Sequence, residues 1–551
     1  MGLMQRFSAR FAGSGPSVFA SSHWGVHPDD HKRPAADVGV RVMPMPARLY
    51  VPLVQHIGAP ARAAVLVGER VKKGQKIADP QGLVSAAIHA PTSGIVLAIG
   101  DIVAPHPSGL TVPAITIEAD GHDEWIEADG CADPLALSAD EIGRRVAAAG
   151  VVGLGGAAFP AAVKLTGAAR SEISTLIING GECEPYLSCD DRLMRDRAAE
   201  IVDGIGIVAH AAGAKKTLIG IEDNKPEAIA AMRAAVAASQ SGNIEVRVVP
   251  ARYPMGSEKQ LILVLTGREV PANGRPSDVG VLVHNVGTAL AVRNAIRLGR
   301  PLVSRLITVS GACVSQPGNI EVPIGVLCED VLAFAGGLKT RPARLLMGGP
   351  MMGMQLPSLA VPVIKGSSGI LALSMAEVAE RTPGPCIRCG SCLRACPVGL
   401  LPLEMNAHIS AGSLDGAVKF GLKDCIACGC CAYVCPSRIP LVQAFNHAKG
   451  ELAAQERSKL RNEATKKMVA ARTERIERET REKAEAAAKR VAERKAQKAR
   501  EAAEAKSAGD SDVLSANARL AEVDGGAPTA VSSPSPSLTS PSTATLEGAS
   551  V

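Results

Sequence analysis

Aromatic residues are scarce in this 551-residue chain: Phe, Trp and Tyr together make up 2% of it. Its cores must therefore be built from Ala, Val, Leu and Ile, and the stacking aromatics that hold single-stranded nucleic acid are missing. Charge of one sign is lacking too. A formal net charge of +6, from 60 basic and 54 acidic residues, is modest for this length, and no nucleic-acid partner is expected. Long apolar runs are also missing. Mean hydropathy is +0.14, yet no run approaches the length of about eighteen residues that a spanning helix requires, so any membrane association must go through a partner. The first nineteen residues have no apolar core segment, which argues against a secretory leader and against disulfides. A chain this long should hold about three to five domains.

What the chain does hold is 14 cysteines, eight of them in two runs of one pattern. Cys386, Cys389, Cys392 and Cys396 precede Pro397, and Cys425, Cys428, Cys431 and Cys435 precede Pro436, each run reading C-x2-C-x2-C-x3-C-P. Three closely spaced thiolates wrap one cube of iron and sulfide, while the fourth, thrown further along, reaches a neighbouring cube. Zinc sites show pairs of cysteines separated by a gap, and a doubled run of four followed by proline does not fit them. Two 4Fe-4S clusters are expected. With crossed ligation, Cys386, Cys389, Cys392 and Cys435 hold one cluster and Cys425, Cys428, Cys431 and Cys396 the other. The remaining six, Cys131, Cys183, Cys189, Cys313, Cys328 and Cys430, are scattered.

The pattern along the chain predicts a multidomain α+β protein. Residues 1–45 read as an irregular arm in which His23, Trp24, His27 and His31 lie close together. Packing on another domain is favoured there over a metal site, because no cysteine completes a ligand set. Residues 46–129 alternate short strands with glycine turns and are similar to a lipoyl-type barrel-sandwich hybrid, but the hairpin segment 80–86 lacks the carrier lysine. Residues 130–300 alternate helix and strand periods, with strand-like runs at 175–179, 217–222 and 244–249 and alanine-rich helices at 198–212 and 226–238. A Rossmann-like parallel sheet is expected, with its ligand at the carboxyl ends of the strands. Residues 301–345 suggest a β-grasp module of the soluble-ligand-binding kind. Residues 375–449 form a helical two-cluster ferredoxin-type domain, with helices at 401–408 and 414–420. Residues 450–506 read as a solvated charged helix without a coiled-coil seam, and 507–551 as a disordered tail.

Three loops of the α/β unit carry further chemistry. Gly153, Gly155 and Gly156, with Lys164 just beyond, let backbone N–H groups approach a phosphate or a flavin ring, although a tight turn against a helix gives the same pattern. Asn179, Glu182 and Glu184 follow a strand, where amide and acidic groups are placed to bond ribose hydroxyls or a flavin edge. A third loop, 252–260, holds Glu258. Solvation explains any one of them, and less easily all three at one edge.

GLGGAAFP at 153–160 with Lys164, INGGECEP at 178–185, RYPMGSEKQLI at 252–262 and the paired cysteine runs resemble, in order and spacing, the C subunit of the Rnf/Rsx ion-translocating electron-transport complex. That family is related to the flavin-bearing NADH-binding subunit of respiratory complex I. The resemblance covers about residues 20–450. It implies a non-covalent FMN and a substrate NADH in the α/β domain, with Gly153, Gly155, Gly156, Lys164, Asn179, Glu182, Glu184 and Glu258 around them. It also implies a peripheral place on the cytoplasmic face of the bacterial inner membrane, among integral and peripheral subunits of one complex that couples electron transfer between NADH and ferredoxin to ion translocation. Ala158, Ala161 and Leu154 depart from the related loops, which usually carry Gly, Thr and Arg. Two alternatives share these features: a flavin and iron-sulfur cobalamin reductase, and a cluster-only relay and docking subunit.

Overall fold

The computed structural model describes residues 24–168, 171–239, 242–272, 274–378 and 382–516. Its first module stacks two small antiparallel sheets. Arg48–Pro52, Thr111–Ala119, Gly94–Val103 and Arg70–Val71 form one, and Arg62–Ala63, Lys76–Asp79 and Ile88–His89 the other. Val51, Val71, Ile77, Ile88, Val96, Ile115 and Ile117 fill the space between them, as alternation in half-buried strands requires. Gly94 opens the longest strand, where a Cβ would meet the Glu118 carbonyl at 2.0 Å.

In the second module four parallel strands run in the order Ile244–Val249, Lys216–Glu222, Thr175–Gly180, Val281–Asn285. Helices Ala198–Ala212 and Pro226–Ala238 have the bounds that the sequence suggests. The first stops at Gly213, whose left-handed backbone turns its N–H back onto Ala209 and His210, and the second starts on a proline that needs no N–H partner there. The strand Val281–Asn285 was not among the expected runs. It joins on the far side of Thr175–Gly180, so the chain reverses its direction of progress across the sheet between these two strands. Such a reversal opens a crevice at their carboxyl ends.

A third, mixed sheet has the order Arg41–Val42, Gly318–Pro323, Ser304–Ser310, Gly369–Leu373, Arg344–Met347, Met354–Gln355, with helix Cys328–Phe334 against it. The N-terminal arm thus supplies an edge strand. Lys365, which follows the core residues Val361 and Val363, is buried where the three modules meet and donates to the carbonyls of Ala87 and Gly150, both at 2.7 Å. Burial pushes its ammonium down to about 7. Between that value and the ordinary lysine value of about 10.5, the unfolded chain holds a proton that the folded chain does not, so folding strengthens as pH rises through this window. Below pH 7 the penalty is fully present. Lys365→Met is expected to abolish the rise, seen as a melting temperature of the parent that climbs relative to the variant between pH 7 and 10.

The last compact module is helical, with Ser391–Ala395, Pro402–Ser410, Leu414–Lys419 and Cys430–Tyr433 around a small core of Met405, Ala417, Leu422, Leu441 and Phe445. Helix Leu441–Ala516 continues past the expected end at 506. From Gln455 onward the chain forms a separate unit, exposed throughout to Lys506, with i, i+4 pairs such as Arg475–Glu479 at 3.8 Å. The remainder of the expected disordered tail, 517–551, lies outside the described residues. No helix among the described residues is long and apolar enough to cross a membrane.

Candidate functional site

Three glycine-bearing segments converge on the crevice between Thr175–Gly180 and Val281–Asn285. A Cβ on Gly155 would lie 3.3 Å from that of Asn285, and one on Gly256 would lie 2.2 Å from the Gly181 carbonyl. Only glycine at 256 allows those two backbones to come so close, and any larger residue at 155 would crowd the Asn285 side chain. Gly156, at φ +103°, has open space where its side chain would be, which leaves a bare backbone cradle. Gly153 donates to the Phe159 carbonyl at 2.8 Å, and Leu154 N–H to the Thr288 hydroxyl at 2.9 Å. The loop therefore rests on the first turn of helix Val286–Arg297, whose N-cap Asn285 accepts from Gly287 N–H. Such a helix start favours an anion. Ala158 takes φ +48° and points its methyl toward Gly366.

Lys164, on helix Ala161–Ala168, donates to Glu258 at 2.6 Å and to the Val283 carbonyl at 3.2 Å, so two of the expected residues meet. Asn179 bridges two of the loops, donating to the Gly256 carbonyl at 2.8 Å and accepting from Gly181 N–H. The carboxylates of Glu182 and Glu184 are committed to the protein. Glu182 accepts from the N–H groups of Asp190 and Asp191 and so caps helix Cys189–Asp196, while Glu184 accepts from Met351 and Met352 at 3.0 and 2.8 Å. Burial pushes Glu184 up to about 7, and burial with the neighbouring Glu182 does the same to Asp190, which Asn285 holds at 2.6 Å.

The sequence singled out the histidines and Trp24 of the arm but not Lys32, the residue that holds this edge together. Lys32, on the arm, is buried and donates to the carbonyls of Glu182, Glu184 and Leu187; burial lowers its ammonium. Beside it, His31 stacks on Tyr186 with ring centroids 4.8 Å apart, His27 contacts the Ala251 carbonyl, and Trp24 lies under Arg252. Residues 24–32 of the arm pack on the α/β module, as the favoured reading had it, while Arg41–Val42 joins the third sheet; His23 is outside the described residues. Lys32→Met takes the lysine donor from all three carbonyls, of which that of Glu182 keeps only a longer bond from Lys225 at 3.4 Å, and is expected to destabilise this module by about 2–4 kcal/mol. Its thermal transition should fall by about 5–10 °C, with cleavage of the arm appearing in limited proteolysis.

In the helical module, five cysteines line one cavity, closed by apolar groups such as Met405, Val442 and Phe445: Cys396, Cys425, Cys428 and Cys431, which are the crossed set of four, and the buried Cys430 between two of them. Burial raises the Cys431 thiol to about 12, helped by its neighbours Cys428, Cys425 and Cys396, so its thiolate needs a cation beside it to take up the charge. Ala427 at φ +55° turns its N–H onto Cys425 Sγ, and Arg388 at φ +53° repeats the turn onto Cys386 Sγ, both at 3.4 Å. Of the other set, Cys386 and Cys389 are exposed and Cys392 and Cys435 half-buried. Gly384 N–H bonds the Ser437 carbonyl at 2.8 Å, which ties the start of one run to the end of the other. Four sulfur donors in a dry apolar cavity fit an iron-sulfur cluster. At the sheet edge, the glycine cradle, the helix start and the unpartnered buried atom His284 Nε2 fit a flavin.

These features define an electron-transfer protein that combines a flavin fold with a two-cluster module. The chain matches the Nuo51 FMN-binding domain over residues 146–294 and the 4Fe-4S dicluster domain over 385–439. It also matches the RnfC barrel sandwich hybrid domain over 20–122 and the SLBB domain over 306–355. It is 53% identical over 435 residues to the C subunit of the ion-translocating oxidoreductase complex of Rhodobacter capsulatus, covering 79% of this chain and 84% of that one. With the protein of the same name from Pseudomonas aeruginosa it shares 48% identity over 81% of this chain, and it spans 57% of that longer relative. Among solved structures, an NAD+-reducing [NiFe]-hydrogenase in the H2-reduced state is 20% identical with a TM-score of 0.41, covering 58% of this chain and 62% of that one. The chain belongs to the family of the C subunits of ion-translocating oxidoreductase complexes. FMN and two 4Fe-4S clusters are its cofactors.

Proposed function

We propose that the crevice between Thr175–Gly180 and Val281–Asn285 takes NADH against FMN and that the electrons leave through the two cysteine sets to the other subunits of a membrane-bound complex. Bound there, the flavin supplies the exchange between a two-electron hydride and the single electrons that iron-sulfur clusters carry. Gly153, Gly155 and Gly156 let the loop backbone approach the flavin phosphate, and Lys164, kept in place by Glu258, supplies positive charge. Asn179 orients the loop facing it. Glu182 and Glu184 act by fixing the backbone of 181–184, since their carboxylates are already bonded. None of these residues needs to move a proton. The cysteine sets Cys386, Cys389, Cys392, Cys435 and Cys396, Cys425, Cys428, Cys431 ligate the clusters.

The domain bounds 46–129, 130–300 and 375–449 assign these roles to separate modules, and the module expected at 301–345 runs on to Leu373, where the strand Gly369–Leu373 ends. Kinship with the C subunits of ion-translocating complexes supports a peripheral position on the cytoplasmic face of the inner membrane, with ferredoxin reached only through partner subunits. The observation that carries the reading is that one segment, 252–260, contributes both to the crevice and to the wall of a cysteine set. Steady-state NADH oxidation with a dye acceptor tests it: FMN-dependent turnover is expected, and its absence in FMN-saturated protein would contradict it.

A further inference from the structure

The segment Arg252 to Gln260 touches both centres through different atoms. On the crevice side, Glu258 holds Lys164, and the Gly256 carbonyl accepts from Asn179. On the other side, the Tyr253 hydroxyl donates to the Cys428 carbonyl at 2.6 Å, and Gln260 Nε2 donates to the Pro397 carbonyl at 2.9 Å. Both acceptors belong to the buried set: one is the backbone of a ligand, the other the residue next to Cys396. Tyr253 and Gln260 are themselves buried. The arm closes the same joint, with Gly25 N–H on the Ala395 carbonyl at 3.0 Å and Val26 paired to Tyr253. No such bond from the α/β module reaches Cys386 or Cys389 among the described residues, and both of these lie exposed.

The geometry points to Tyr253 and Gln260 as positioning residues that fix the cluster of Cys396, Cys425, Cys428 and Cys431 against the flavin crevice, making it the first of the two to receive electrons and leaving the exposed set to pass them on. The inference rests on the proposed flavin route. Each side chain points the positive end of an N–H or O–H dipole at a carbonyl beside the buried set, in surroundings of low dielectric where such dipoles act strongly. Cluster potentials respond to local hydrogen bonding and charge. Removing either donor leaves more negative charge beside that cluster alone and lowers its potential.

The test uses the full chain with both clusters rebuilt, in Tyr253→Phe, which keeps the ring, and in Gln260→Leu, which serves by itself if the first variant does not take up iron. In a redox titration with mediators and dithionite, followed by electron paramagnetic resonance, one cluster should shift to a more negative midpoint while the other stays put. The shifted signal should be the one that Cys428→Ala removes. No shift, an equal shift of both, or a shift of the signal that Cys389→Ala removes overturns the assignment. This arm needs neither NADH nor flavin, so it stands or falls separately from the proposed function. In rapid mixing of the FMN-loaded protein with NADH, Cys389→Ala should keep fast reduction of its remaining cluster and Cys428→Ala should lose it. Flavin that bleaches while the Cys428→Ala cluster still follows quickly overturns the order; flavin that does not bleach counts against the NADH reading instead.

Discussion

Replacing Cys396 by alanine is expected to remove the same cluster as replacing Cys428, although the two cysteines sit in different runs. The cavity wall explains this: Cys396 lies with Cys425, Cys428 and Cys431, not with the three cysteines that precede it in sequence. Iron per chain should fall by about half in either variant, and one of two paramagnetic signals should vanish. Cys435→Ala should remove the other signal, together with Cys386, Cys389 and Cys392. If Cys396→Ala instead spares the signal lost in Cys428→Ala, each run serves its own cluster and the crossed assignment is wrong. Effects on the buried set should be the more severe, since loss of that cluster leaves the Cys431 thiol, which burial holds protonated, inside an apolar module.

Gly156→Val should abolish tight flavin binding while leaving both clusters in place. At φ +103° a side chain strains the backbone by about 1–3 kcal/mol, and the new isopropyl group projects into the open cradle. A fall in FMN affinity of about a hundredfold, equivalent to about 3 kcal/mol, is expected by equilibrium dialysis or fluorescence. Iron content should not change, because none of the cysteine ligands contacts this loop. A variant that keeps parental affinity would place the flavin elsewhere.

Much of the site was legible because its signals are local. The ligand runs depend on spacing alone, and the helices Ala198–Ala212 and Pro226–Ala238 announce themselves through alanine content with a terminal glycine or proline. What stayed hidden depends on contacts distant in sequence. Val281–Asn285 is five residues long with a histidine in it, too short for a periodic signal, yet its place beside Thr175–Gly180 creates the crevice. Lys32 looks like one more charge in a polar stretch; its carbonyl partners lie about 150 positions away. Tyr253 and Gln260 fell within a recognised motif, but nothing local says that their polar ends face the cysteine module. Arg41–Val42 could not be read as a strand, since two residues carry no alternation and the partner strand is Gly318–Pro323.

Anaerobic titration of the cluster-replete, FMN-loaded chain with NADH, followed by absorbance, tests the central claim most directly. The account predicts bleaching of the flavin and cluster bands together as NADH is added. Bleaching by dithionite but not by NADH would contradict it, and would leave two working clusters in a protein that receives its electrons from another partner.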